Sequence, residues 1–384
     1  MNSLGLSGGA ERVAAELGSS LNSLDYEVTF LTFRDRDLEY KYNADTICLN
    51  FTKGDSKVRN IYNSLKLARK VSKICKEENI DTSISFLTWP NIVSVLSKKL
   101  FRNPSKVILS VRSNPLRGYQ LEKRLLYPSS DKVVALSRQV EEILNTRFSL
   151  NNTTTIYNIQ NPQKFIEKSR KQLPKKHQKL LLNGFNYIHI GRLHPVKGQW
   201  HLLRSFKKIS EEKTDSKLII LSDGRLKNKL NTLINKLDLE DSVFLLGKVE
   251  NVFPYLRESD CFVFSSYYEG FGNVLTEALS QNLPVISTDC IAGPREILCP
   301  NTPIGKKLEY PYYGEYGVLV PTFQEEMFFK SLKEEPLSRE EEIFAETMKK
   351  LQNDEKLIEK YSNGRERVED FKKEKIIKKW EKVI

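Results

Sequence analysis

Two carboxylates, Glu269 and Glu277, stand with seven residues between them and flank a loop carrying Gly270 and Gly272. The loop follows the apolar run Cys261–Phe264, which reads as a buried strand. A helix begins near Asn273, and a second buried run starts at Pro284. Strand, glycine turn, helix, strand is a βαβ unit, and its turn lies at the carboxyl end of a parallel sheet, where open α/β sheets bind ligands. Glycines let the backbone approach a ligand, and a helix start offers unpaired N–H groups and a positive dipole end to phosphate. The stretch from Tyr267 to Asp289 therefore predicts an anion site bracketed by two acids.

A second cluster precedes it. Gly191, Arg192, His194, Lys197 and Gly198 follow the strand-like run Tyr187–Ile190, and Arg192 and Lys197 could together neutralise a diphosphate. The GxxxxGK[ST] spacing of a Walker A loop is absent. Asp223 and Gly224 end the next strand, and Gly247, Lys248 and Val249 the one after. Each loop alone could be only a turn; four in succession describe a nucleotide cleft. His189 alternates with apolar strand residues and reads as core or wall, whereas His194 lies inside the loop and stays open between ligand and structure. Glu277 on a helix would ordinarily be a surface residue, but its spacing from Gly270 and Gly272 favours a binding role.

The elements that must hold these loops need a large chain, and 384 residues suit two domains better than one. With 39% hydrophobic and 29% charged residues the composition is globular. Its longest apolar runs are strand-sized, and the N-terminus lacks signal-peptide character. Five scattered cysteines without a CxxC pair argue against disulfides or zinc and fit a reducing cytosol. The net charge of +12 favours a polyanionic partner: nucleic acid, an anionic membrane face or phosphorylated substrates. Nucleic acid is the weakest of these, since no Cys/His finger or RNP signature is present.

Strand-like runs at 27–33, 46–49, 82–87, 106–111, 132–136 and 154–157 alternate with helical patterns, and a second series runs from 187 to 320. Two doubly wound domains in tandem are the economical reading. The predicted boundaries are 1–160, 161–364, and a C-terminal helix over 365–384 that packs back on the first domain. A helix over 60–78 has Ile61, Leu65, Ala68, Val71 and Cys75 on one face and Lys66, Arg69, Lys70, Lys73 and Lys76 elsewhere. It is read either as a solvated surface helix or as one resting on anionic lipid. The stretch 325–355 is charged and reads as helical.

On these motifs the sequence resembles glycosyltransferase family 4, the retaining, metal-independent transferases of GT-B fold. The resemblance spans essentially the whole chain and is densest at Gly191–Gly198, Asp223-Gly224, Leu246-Gly247 and Glu269 to Glu277, which matches the family's EX7E element. Gly8 to Val13, Ser110 to Pro115 and Gly293 to Leu298 look like the bacterial polysaccharide branch. The resemblance implies two Rossmann-like domains facing a cleft, no metal and no cofactor. It implies transfer of a sugar from a nucleotide-sugar donor, such as a UDP-linked hexose or N-acetylhexosamine, to a lipid-linked or polysaccharide acceptor. Glu277 would hold the ribose, and Glu269 the donor sugar. Arg192 and Lys197 would hold the diphosphate, helped by the amides of Gly270, Phe271, Gly272 and Asn273. Gly247, Lys248 and Val249 would meet the base, beside Asp223 and Gly224. Gly8, Gly9, Arg112 and Asn114, in the acceptor-side domain, would bind substrate. The leaving phosphate would take the acceptor's proton; Glu269 as covalent nucleophile is the other mechanism. The protein would work in the cytoplasm, at the inner face of the plasma membrane.

Two departures stand out. Relatives often carry a histidine in the first domain facing the donor sugar, whereas all four here, His177, His189, His194 and His201, lie in or beside the second; Arg112 or Asn114 is read as taking that neighbourhood. Relatives also have an apolar strand before the Gly8-Gly9 turn, and this sequence has only Met1–Leu4 there. Missing a central strand would cost about 1.5–3 kcal/mol for each lost core side chain. Either the true start lies upstream, or the protein is an inactive, truncated nucleotide-sugar- or membrane-binding relative. A nucleotide-sugar epimerase of the same fold is the third reading. Asp35-Arg36-Asp37 mimics a DxD metal motif but falls in a charged loop and reads as surface.

Overall fold

The computed structural model describes residues 9–33, 45–51, 57–112, 114–118, 120–212 and 215–384. Gly8, Ser113 and the Asp35–Asp37 triplet lie outside the described residues. The chain divides into two compact units, one of residues 1–159 with 371–384, the other of residues 160–370.

In the first unit, β1 (Thr29–Thr32) pairs in parallel with β2 (Asp45–Cys48). A separate sheet takes β3 (Thr82–Phe86), β4 (Lys106–Val111), β5 (Lys132–Ala135) and β6 (Thr153–Thr155) in that order, all parallel. Val107, Ile108, Leu109, Val133 and Val134 are fully buried, the continuous apolar pattern of strands covered on both faces. The helix Gly9–Asn22 brings Ala14, Leu17 and Leu21 to a core completed by Ile376, Ile377 and Trp380 of the helix Lys373–Glu381.

The helix over 60–78 spans Lys57–Glu77, and its buried face is shifted from the one its spacing suggested. Leu67, Ala68, Val71 and Cys75 pack with Val93, whereas Ile61 is 65% exposed. The shift follows from the neighbouring helix Thr88–Phe101, whose Trp89 Nε1 donates to Ser64 Oγ at 2.9 Å and whose Phe101 carbonyl accepts from Ser72. Those two bonds fix which side of the cylinder faces inward.

The second unit is built on seven strands: β7 (Asn186–Ile190), β8 (Lys217–Leu221), β9 (Val243–Gly247), β10 (Cys261–Phe264), β11 (Val285–Thr288), β12 (Tyr312–Tyr313) and β13 (Val318–Val320). Their order is β12-β13-β11-β10-β7-β8-β9, parallel except for the edge strand β12, which the sequence reading missed. From β7 the chain winds outward through β8 and β9, then returns to β10 on the other side and winds out through β11 and β13. The order reverses between β7 and β10, and loops leaving such neighbours part to open a crevice where ligands bind.

In the stretch 325–355 a helix spans Arg339–Asn353, and the next begins at Glu355. Before Arg339 the chain runs irregularly because Arg204, fully buried, donates to the carbonyls of Lys330, Glu335 and Pro336. Carbonyls turned onto one guanidinium are lost to a helical ladder. Trp380 is 1% exposed in the first unit's core. Trp380→Ala is expected to cost about 3–5 kcal/mol, read from denaturant melts followed by circular dichroism.

Candidate active site

The loop after β7 and the loop after β10 meet at the reversal point and are stitched together. Tyr267 N donates to Val196 O at 2.9 Å, and Ser265 Oγ donates to Lys197 O at 2.7 Å. Gly198 has φ +58°, and a Cβ there would lie 2.5 Å from the Ser265 carbonyl, so only glycine lets the loops close this tightly. At the junction Lys197 Nζ stands 2.5 Å from Glu269 Oε1, with both side chains less than one-fifth exposed. The ammonium also lies 5.3 Å from the Phe264 ring centroid, a cation–π contact. The cation and the acid singled out in separate motifs thus form one pair.

Glu269 is further fixed by its N–H, which donates to Ile291 O at 3.0 Å. Gly272, at φ +85°, caps the helix Asn273–Leu279. A side chain at Gly293 would overlap the Phe271 carbonyl, so the loop is clamped from the β11 side as well. Phe271 itself is 2% exposed, and its ring belongs to the core. Asn273 Oδ1 accepts from Gln160 Nε2 at 3.1 Å, and Glu277 is half-buried on the same helix.

Around the β7 loop, Gln199 Nε2 donates to the carbonyls of Gly191 and Arg192 at 3.2 and 3.0 Å. Arg192 carries its side chain into solvent. The next loop is tied on by Leu193 N to Asp223 O at 3.1 Å, and a Cβ at Gly224 would lie 2.5 Å from the Leu193 carbonyl. Asp223 is exposed; its carboxyl is held below the usual range first by the Gly224 amide and then by Lys227. Gly247, at φ +78°, ends β9 at a register irregularity, with Lys248 exposed and Val249 half-buried.

The histidines separate. His194 Nδ1 accepts from Val196 N at 3.3 Å, shaping the loop, and burial with Arg225, Arg192 and Lys197 nearby lowers its pKa. His189 is fully buried against Val263 O at 2.9 Å, its pKa lowered to about 4 by burial, with Lys197 contributing.

Arg112 and Asn114 belong to the first unit. Arg112 donates through Nε to Ser110 Oγ at 2.7 Å and through an Nη to Asn158 Oδ1 at 2.6 Å, and its guanidinium lies over Phe86 and Trp380. Burial lowers its pKa to about 9. Asn114 Oδ1 accepts from Leu116 N at 2.9 Å. Both side chains are thus engaged in holding their own loop. Lys123, 2% exposed, reinforces it by donating to the carbonyls of Pro115, Arg117 and Gly118 at 2.7–2.8 Å. Gly9 opens the helix Gly9–Asn22. Gln199 and Lys123 escaped the sequence reading because neither sits in a motif; their partners are backbone carbonyls, which no residue type announces.

Residues 7–164 match the family model "Glycosyltransferase Family 4", and residues 164–333 match "Glycosyl transferases group 1". An uncharacterised glycosyltransferase of Methanocaldococcus jannaschii is 41% identical, over 94% of this chain and 92% of that protein. The chain belongs to glycosyltransferase family 4. Another relative of this glycosyltransferase is the N-acetylgalactosamine-N,N'-diacetylbacillosaminyl-diphospho-undecaprenol 4-alpha-N-acetylgalactosaminyltransferase of Campylobacter jejuni, 31% identical over 85% of this chain and 86% of that one. Among solved structures, a glycosyltransferase of Rickettsia africae superposes with a TM-score of 0.77 at 18% identity, covering 99% and 95% of the two chains. Anabaena HepE in complex with UDP gives 0.72 at 16% identity, covering 98% and 96%. These likenesses establish the GT-B fold for the glycosyltransferase.

The His189 environment generates a pH dependence. Its folded pKa of about 4 lies below the ordinary value near 6.5, so below pH 6.5 the unfolded chain takes up a proton that the folded one refuses. Stability is expected to fall by about 3 kcal/mol as the pH drops from 6.5 to 4 and to level off below. His189→Gln should flatten that part of the profile in urea melts; an unchanged slope would count against it. Gly198→Ala should cost roughly 1–3 kcal/mol from backbone strain alone, and donor turnover should fall with it.

Proposed function

We propose that this glycosyltransferase moves a sugar, with retention at the anomeric carbon, from a UDP-linked hexose or N-acetylhexosamine to a lipid-linked or polysaccharide acceptor. The observation that carries the reading is the Lys197–Glu269 pair at 2.5 Å, at the β7/β10 reversal point. A nucleoside diphosphate sugar presents anionic oxygens and sugar hydroxyls side by side, the two chemistries such a pair can divide between them. Lys197 takes the diphosphate, with Arg192 swinging in from solvent, and stabilises the charge that builds as the glycosidic bond breaks. Glu269 accepts hydrogen bonds from the donor sugar, and Glu277 from the ribose. Main-chain amides of Gly270, Phe271, Gly272 and Asn273 support the phosphates, and Gly247, Lys248 and Val249 border the base near Asp223 and Gly224. The departing phosphate oxygen takes the acceptor's proton, so no metal or protein base is required. The acceptor is assigned to the first unit, and Gly8, Gly9, Arg112 and Asn114 are the residues proposed to meet substrate there.

Two relatives support the chemical classes. The Campylobacter jejuni protein is named for a diphospho-undecaprenol-linked acceptor, and Anabaena HepE is known in complex with UDP. An enzyme with a lipid-linked acceptor must work at a bilayer. The helix Lys57–Glu77 exposes Ile61 and Tyr62, 65% and 64%, on a cylinder whose Lys66, Arg69, Lys70 and Lys73 are also exposed, a surface suited to anionic lipid. Among the described residues no helix is long and apolar enough to cross a membrane.

A panel of UDP-sugars with undecaprenyl-diphosphate-linked acceptors tests the reading, the product's anomeric configuration being read by NMR. Lys197→Ala is expected to lower kcat roughly 10²–10³-fold, the loss typical of one removed charge-stabilising donor, and Glu277→Ala to abolish transfer while the far-ultraviolet circular dichroism stays unchanged. Undiminished turnover by Glu277→Ala, or an inverted product, would sink it.

A further inference from the structure

Behind the β10 loop lies a fully enclosed polar chain. The His201 ring joins Tyr267 Oη, 2.8 Å from Nε2, to Glu341 Oε1, 2.7 Å from Nδ1. Arg204 holds the same carboxylate through Nε at 2.9 Å, and Glu341 Oε2 accepts from Ser338 N at 2.9 Å. Tyr267 is 6% exposed, His201 2%, and Arg204 and Glu341 not at all. Glu341, paired with Arg204, is the acceptor from Nδ1–H. The His201 ring is stacked on Phe323, centroids 4.5 Å apart, so it has no room to turn.

An ion pair buried this deeply adds little net stability over an apolar filling of the same volume. What it supplies is a fixed position. The position it fixes is that of Tyr267, whose N–H is bound to Val196 O in the β7 loop and which stands two residues before Glu269. The Tyr267 ring also lies 3.7 Å from where a Gly198 Cβ would be, against the turn that ends the β7 loop. One side chain therefore touches the turn next to Lys197, is separated from Glu269 by one residue, and is pinned at its far end by groups from two other helices.

We infer that Tyr267, anchored by His201 and Glu341, is the positioning residue that sets the Glu269 carboxylate for the donor sugar. The inference rests on the reading above that Glu269 meets that sugar. It predicts an effect confined to the sugar half of the donor, because the diphosphate is held by Lys197, Arg192 and main-chain amides that do not hang on the tyrosine hydroxyl.

The test is a double-mutant cycle in the full-length enzyme. It uses the UDP-sugar turned over fastest in the panel above, with free UDP as the second probe, by calorimetry. Tyr267→Phe removes one oxygen and is expected to lower kcat/KM for the UDP-sugar about tenfold, within the loss that a displacement of about 1 Å can cause. UDP should bind within about twofold of wild type, as expected for an uncoupled site. In a Glu269→Gln background the same substitution should cost less than about twofold, since the group it acts through is gone. An equal loss in both backgrounds, or a matching loss of UDP affinity, overturns the inference and leaves Tyr267 a structural residue. Full activity in Glu269→Gln alone overturns instead the reading of the site. His201→Gln, with its thermal midpoint recorded, is carried through the same cycle and keeps the test decisive if Tyr267→Phe folds poorly.

Discussion

The parallel pairing of β7 with β10, Tyr187 against Cys261 and Ile188 against Phe262, is the constraint from which the second unit follows. These two strands are neighbours in space yet separated by the whole excursion through β8 and β9. Their successors lie on opposite sides, so the loops that leave them face each other across the sheet's reversal point. Every feature of the site follows from closing that gap: the glycine where Gly198 meets the Ser265 carbonyl, the bond from Tyr267 to Val196, and the pair of Lys197 with Glu269. A strand order without the reversal would leave the same residues at opposite ends of the sheet.

Much of this was legible in the sequence because it is local. Lys106–Val111 and Cys261–Phe264 are strands with the bounds their apolar runs suggested, since a run buried on both faces carries its own signature. The glycines at Gly198, Gly247 and Gly272 are positions of positive φ, and their place after a strand announced loops that must turn tightly. The helix Lys57–Glu77 was legible as a helix, but its inward face was not. Periodicity names a stripe; the neighbour that covers it, here Trp89 reaching Ser64, decides how the cylinder is rotated.

What escaped is long-range. Glu341 sits in a run of charge that reads as solvated, and only the fold brings it to His201 and Arg204, about 140 residues earlier in the chain. The irregular path before Arg339 was hidden for the same reason, being dictated by a guanidinium from another helix. Arg112 shows the same. Its motif suggested a ligand contact, but the partners of this half-buried side chain in its own unit, Asn158, Phe86 and Trp380, are distant in sequence and no motif names them.

The ion pair at the junction has a bearing on discrimination. A lysine already matched by a carboxylate is a poor trap for inorganic phosphate, since a bare anion that wins Lys197 leaves Glu269 desolvated and alone. A free sugar faces the mirror problem, because it can engage Glu269 only by competing with the lysine. On the proposed reading, a molecule carrying a diphosphate and a sugar on adjacent atoms satisfies both groups at once. The pair then acts as a conjunction of two conditions. It guards the site against inorganic phosphate and free sugars alike.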